Sequence, residues 1–72
     1  MSRTVDARGL SCPQPVLMTL EGIKEQAEGE MEILVDTETS KENVKRAAES
    51  RGWRVIEIEE KGEGFQIIIE KD

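Results

Sequence analysis

The chain has no histidine, a single cysteine and only 10 basic residues against 16 acidic ones, and each shortage removes a class of chemistry. One thiol cannot close an intramolecular disulfide. Without histidine, neither a zinc site of the usual four nitrogen and sulfur ligands nor a cysteine–histidine nucleophile pair can be assembled. The formal charge of −6 repels phosphate backbones and anionic lipid, which argues against direct nucleic-acid binding and favours basic protein partners. The same charge also serves to keep a small domain soluble. No apolar run approaches the roughly 20 residues that span a bilayer, and Met1-Ser2-Arg3-Thr4-Val5-Asp6 holds no apolar stretch of signal-peptide length. A cytoplasmic setting is expected, where reducing conditions suit an unpaired thiol. No phosphate-cradling glycine loop, metal–carboxylate spacing, repeat or linker stands out, so no metal or cofactor is expected. Residues 1–72 are expected to form one domain with a thin core.

Periodicity outlines the fold. The strand-like Thr4-Val5-Asp6 leads into a turn containing Gly9. Val16, Leu20, Ile23 and Ala27 then recur at helical spacing, the apolar stripe of an amphipathic helix over about 13–26. Leu17 widens the stripe, Glu21, Lys24, Glu25 and Glu28 face water, and Gly29 is the expected stop. Met31, Ile33 and Val35 alternate with polar neighbours as a strand of about six residues, with Leu34 on its other face. Asp36-Thr37-Glu38-Thr39-Ser40 is a loop ending in a helix start, where Thr39 and Glu42 have capping-box spacing and Ser40 is a rival cap. That helix is expected to reach about residue 51, burying Val44, Ala47 and Ala48, with Gly52 ending it. In the strand over 53–60, Ile56 and Ile58 share one parity while Trp53 and Val55 share the other, which predicts a bulge or strand edge near Val55. Lys61-Gly62-Glu63-Gly64 turns the chain into a closing strand with Phe65, Ile67 and Ile69.

The order β-α-β-α-β-β predicts an α/β fold, a two-layer α+β sandwich whose four-stranded mixed sheet carries both helices on one face. The other face stays open. Leu34 and Ile68 should project onto it, either as ordinary isolated apolar residues or as a dimer or partner patch, so the expected state is a monomer or weak dimer.

Cys12 lies in Gly9-Leu10-Ser11-Cys12-Pro13-Gln14-Pro15, where the first strand hands over to the first helix. A lone cysteine is often a small buried hydrophobe. Here the flanking glycine, serine and prolines mark a surface turn instead. Pro13 suits the first helical position, which puts Cys12 at or next to the N-cap, where the helix dipole favours a thiolate. Pro13 and Pro15 remove two first-turn donors, leaving the Gln14 and Val16 N–H groups as candidates to face the sulfur, and they stiffen the turn. Arg8 would add positive potential near a thiolate or point to solvent, and Asp6 is expected to cap backbone donors around Arg8 and Gly9. No general base accompanies the sulfur. The chemistry left is that of the thiolate itself: disulfide exchange, peroxide reduction, or acceptance and release of a sulfur atom as a persulfide.

The stretch Val5-Asp6-Ala7-Arg8-Gly9-Leu10-Ser11-Cys12-Pro13-Gln14-Pro15-Val16 resembles the signature of the TusA/SirA-type sulfur-carrier family, a Cys-Pro-x-Pro at the start of the first helix. The resemblance covers the whole chain. It implies a two-layer α/β fold and a persulfide on Cys12, received from a cysteine desulfurase and relayed to a downstream acceptor protein. Asp6, Arg8, Gly9, Leu10, Pro13, Gln14 and Pro15 are then the residues that support the motif. The transfer-RNA thiolation branch typically has arginine before the cysteine and an Asp-Asp-Pro-type middle loop, where this chain has Ser11 and Asp36-Thr37-Glu38. Residues 42–52 are more similar to the YedF-type branch, which is associated with selenium metabolism. A selenium-linked carrier and a redox-sensing or regulatory interaction module are the alternative readings. A thiol reductase is disfavoured by the lack of a resolving cysteine.

Overall fold

Parallel pairing of two strands that are separated by a helix sets the architecture. The computed structural model describes residues 2–11 and 13–72. Its elements are β1 (Ser2–Asp6), α1 (Gln14–Glu25), β2 (Gly29–Val35), α2 (Glu38–Ser50), β3 (Arg54–Lys61) and β4 (Gly64–Lys71). The sheet order is β1-β2-β4-β3, with β1 parallel to β2 and β4 antiparallel to both of its neighbours. The expected two-layer α/β sandwich is the fold observed, with both helices packed on one face of the mixed sheet.

Strand alternation builds the core. Val5, Met31, Ile33, Val35, Ile67 and Ile69 point inward and meet Val44 and Ala48 of α2 and Trp53. Fully burying one aliphatic side chain of this kind contributes about 1.5–3 kcal/mol. In β3 the register slips between Val55 and Glu57, so Ile56 is the extra residue of a bulge, as the two parities require. Ile58 returns to the inner side opposite Ile67 but stays 37% exposed, because β3 is the sheet edge.

The helices depart from expectation in orientation and ends. The α1 face turned to the sheet is Pro15, Thr19 and Gly22, with Val16, Met18 and Ile23 at its flanks; Ala27 is exposed and Leu17 is 51% exposed. At Gly22 the helix comes close to the sheet: a methyl group there would stand 3.2 Å from Met31 Sδ. The buried Thr19 hydroxyl donates to Pro15 C=O at 2.9 Å, so no polar group is stranded there. The helix stops at Glu25, and Gly29, at φ 107°, opens β2 instead of capping α1.

In α2 the N-cap is Thr37, whose Oγ1 accepts the Ser40 N–H at 3.1 Å, and neither Thr39 nor Ser40 caps the helix. Ser40, Val44 and Ala48 are its buried residues; Ala47 is half-buried. Its C-terminus closes with Gly52 at φ 82°, the Gly52 N–H on Glu49 C=O and the Trp53 N–H on Ala48 C=O, both at 3.1 Å. Trp53 is thereby tucked under the helix it follows.

Candidate functional site

The ends of parallel β1 and β2 lie side by side, so the segments leaving them share one rim of the sheet. The ladder runs one residue past β1, with the Ala7 N–H on Leu34 C=O at 2.8 Å, and Ala7 is fully buried. The chain then turns outward through Arg8 and Gly9, whose φ of 81° is a conformation that glycine adopts without strain.

Asp6 and Arg8 form one closed unit on this turn. Asp6 Oδ1 accepts the Arg8 backbone N–H at 3.2 Å and Nε at 2.9 Å, while Oδ2 accepts Nη2 at 2.8 Å. The hydrogen bonds from the Arg8 side chain and then its backbone N–H pull the Asp6 carboxyl down to about 2, and Asp6 in turn raises the Arg8 pKa. Asp6 therefore caps Arg8, as expected, but not Gly9. The Gly9 N–H donates at 2.7 Å to Asp36 Oδ2, from the far end of β2.

Leu10, Ser11, Pro13 and Gln14 are exposed, with Leu10 at 39%. Cys12 lies outside the described residues. Pro13 is the N-cap, at φ −100° and ψ 16°, with no side-chain cap, so it sits one position before the first helical residue that the sequence assigned to it. Its C=O accepts the Leu17 N–H at 3.0 Å. The Gln14 N–H donates to Ser11 C=O at 2.9 Å, which removes that N–H from the donors expected to face the sulfur. Pro15, the second residue of α1, is fully buried.

A shallow groove follows, with Gly9, Leu10 and Ser11 on one side and Asp36, Thr37, Thr39 and Ser40 on the other. Ser11 and, across the groove, Asp36, Thr37, Thr39 and Ser40 are lining residues that sequence reasoning did not assign to the site. The signal for them is topological: once β1 and β2 are paired in parallel, whatever follows β2 must stand beside whatever follows β1. Among the described residues, no group of three or more metal-ligating side chains converges, and no helix is long and apolar enough to cross a membrane.

Comparison with known proteins agrees with this fold. The sequence model of the family described as "Sulfurtransferase TusA" matches residues 3–71. The "Putative sulfur carrier protein MJ0990" of Methanocaldococcus jannaschii is 40% identical over 70 residues, covering 96% of this chain and 93% of that protein. The "Putative sulfur carrier protein YedF" of Escherichia coli K12 is 31% identical over 68 residues, 93% of this chain and 88% of its own. A crystal structure of a SirA-like protein from Desulfitobacterium hafniense superposes with a TM-score of 0.85 at 32% identity, covering 94% of this chain and 95% of that one. The chain belongs to the TusA family of sulfurtransferases and sulfur carriers.

Proposed function

We propose that the chain carries sulfur as a persulfide on Cys12, taken from a cysteine desulfurase and delivered to a downstream acceptor protein. The observation that carries this reading is that a member of a sulfur-carrier family has one thiol, placed between the exposed Ser11 and Pro13 at the start of α1. The names of its relatives as sulfur carriers support it. In the loading step the Cys12 thiolate attacks the outer sulfur of a cysteine persulfide on the donor enzyme. A new S–S bond forms, the donor's S–S bond breaks, and the donor cysteine leaves as a thiolate, so the sulfur moves without net oxidation. Delivery repeats the exchange with the roles reversed. The chain has no histidine to act as an imidazole base and no second cysteine to resolve a disulfide, so its contribution is presentation: a limb braced by Pro13 and Pro15 loses less freedom when it enters a partner's active site. The cytoplasm, where thiols stay reduced, is the setting this chemistry needs.

The test is intact mass after incubating the reduced protein with a cysteine desulfurase, its coenzyme and cysteine, beside Cys12→Ser. A gain of about one sulfur atom on the wild type alone, reversed by a thiol reductant, is the expected result. Sulfur accepted by Cys12→Ser, or no gain on a wild type whose thiol is titratable, would reject the reading and favour an interaction module.

A further inference from the structure

Among the described residues, the limb that leads to Cys12 is tied to the rest of the fold beyond Ala7 by one carboxylate. Within residues 7–14 the described hydrogen bonds are local, Arg8 to Asp6, Gln14 to Ser11 and Leu17 to Pro13, apart from the Ala7 ladder bond and the Gly9 N–H on Asp36 Oδ2 at 2.7 Å. The Asp36 contact spans 27 residues of sequence and is the last one before the exposed Leu10 and Ser11. Its acceptor has a rigid mount. Asp36 follows the fully buried Val35 and precedes Thr37, which is fixed by capping α2. Gly64 of β4 packs so closely beneath it that an added methyl would meet Val35 O at 2.5 Å and Asp36 Cα at 3.3 Å. Three elements thus aim one oxygen at the amide of Gly9, and a hydrogen bond from a backbone N–H to a carboxylate is among the stronger kinds.

Resting on the reading of Cys12 as the sulfur-bearing residue, we propose that Asp36 is a positioning residue for sulfur transfer, setting through the Gly9 N–H the limb from which Cys12 is presented. Transfer needs the attacking and attacked sulfurs held near contact and in line, and a limb free to sample other arrangements spends less time in that geometry. The consequence belongs to the bound complex. Loss of the Asp36 carboxylate lowers the maximal transfer rate more than it weakens encounter.

The measurement is single-turnover loading from a desulfurase pre-charged with cysteine, over a range of carrier concentrations, for wild type, Asp36→Ala, Asp36→Asn and Ser50→Ala. Removal of the carboxylate should slow the maximal rate by about tenfold, with the half-saturating concentration little changed, in proportion to the usual worth of a hydrogen bond to a charged group. Asp36→Asn, which keeps an oxygen acceptor, should recover most of the rate. Ser50→Ala removes a hydrogen bond to Ala47 C=O at the other end of α2, away from the Gly9 bond and the groove, and should load like wild type. The Gly9 amide proton, followed by NMR, should lose protection from exchange in Asp36→Ala while the amides of α2 keep theirs. Wild-type rates in an Asp36→Ala protein whose Gly9 amide has lost protection would overturn the inference alone. A wild type that never loads would overturn the sulfur-carrier reading and the inference with it. Should Asp36→Ala fail to fold, a folded Asp36→Asn in which the Gly9 amide is deprotected and loading is unchanged decides against Asp36 as well.

Discussion

At the scale of single residues, ionisation gives the sharpest expectation. Asp6 is exposed, and the guanidinium and then the backbone N–H of Arg8 hold its carboxyl at about 2 against an ordinary 3.8, outweighing the opposing effect of desolvation. A depressed carboxyl pKa means that the interaction is fully present above about 3.8 and is lost as pH falls through about 2. The turn leading to Cys12 should therefore keep its geometry through mildly acidic pH and loosen only below it. Following the Asp6 carboxyl carbon by NMR should give a midpoint near 2, and Arg8→Ala should return it toward 3.8. An unchanged midpoint in Arg8→Ala would show that this pair is not what lowers it. The pairing also bears on Arg8's expected role. A guanidinium bound through two nitrogens to Asp6 contributes a neutralised pair beside the motif, not a free positive charge. Sequence reading found both residues and the cap on Arg8, but the Gly9–Asp36 bond was out of reach because its partners are far apart in the chain.

At the scale of elements, close approach decides which residues matter. Gly22 and Gly64 both sit at tight contacts, yet replacement by alanine should have very different outcomes. At Gly22 the added methyl meets the flexible end of Met31, and alanine brings better helix propensity worth up to about 1 kcal/mol, so Gly22→Ala should change stability little. At Gly64 the methyl meets the Val35 carbonyl, backbone that cannot step aside, and the cost should reach about 1–3 kcal/mol or more. Urea denaturation of the two variants measures the contrast, and similar midpoints would refute it. Thr37→Ala removes a hydrogen-bonding cap and should cost about 0.5–2 kcal/mol in the same assay, whereas Thr39→Ala should be close to neutral. The legible and illegible parts of the fold divide along the same line. Alternating isoleucines, the β3 bulge and the Gly52 stop follow from the pattern of large residues and glycines. The buried side of α1 does not, because Pro15, Thr19 and Gly22 carry little apolar signal, and close approach, shown at Gly22 by its contact with Met31, is a tertiary property. The α2 cap was displaced for a related reason. Spacing favoured Thr39 with Glu42, but β2 ends at Val35 and leaves room for the helix to begin sooner, at Glu38.

At the scale of the molecule, charge is distributed by the pleat. The residues whose register turns them to the open side of the sheet include Asp6, Glu30, Glu32, Glu57, Glu59 and Glu70, with Leu34 and Ile68 between them. Three of the carboxylates are answered: Asp6 by Arg8, Glu59 by Lys61 and Glu70 by Arg54. Glu30, Glu32 and Glu57 have no cation within ion-pair reach among the described residues, so this face keeps a negative excess around its two half-buried apolar side chains. Two copies brought face to face here would set like charges against each other while burying only Leu34 and Ile68, and the repulsion should win in dilute salt. The opposing field weakens as ions screen it, over a length that falls from about 10 Å at 0.1 M to about 3 Å at 1 M. Self-association across the open face should accordingly be absent at low ionic strength and appear, if anywhere, only as salt is raised. Sedimentation velocity at constant protein concentration across that salt range tests the sign of the effect, with Glu32→Gln and Glu57→Gln together expected to lower the salt needed. A dimer that forms at low salt and falls apart on adding salt would mean that attraction between charges holds the copies together, and that the open face is not their contact.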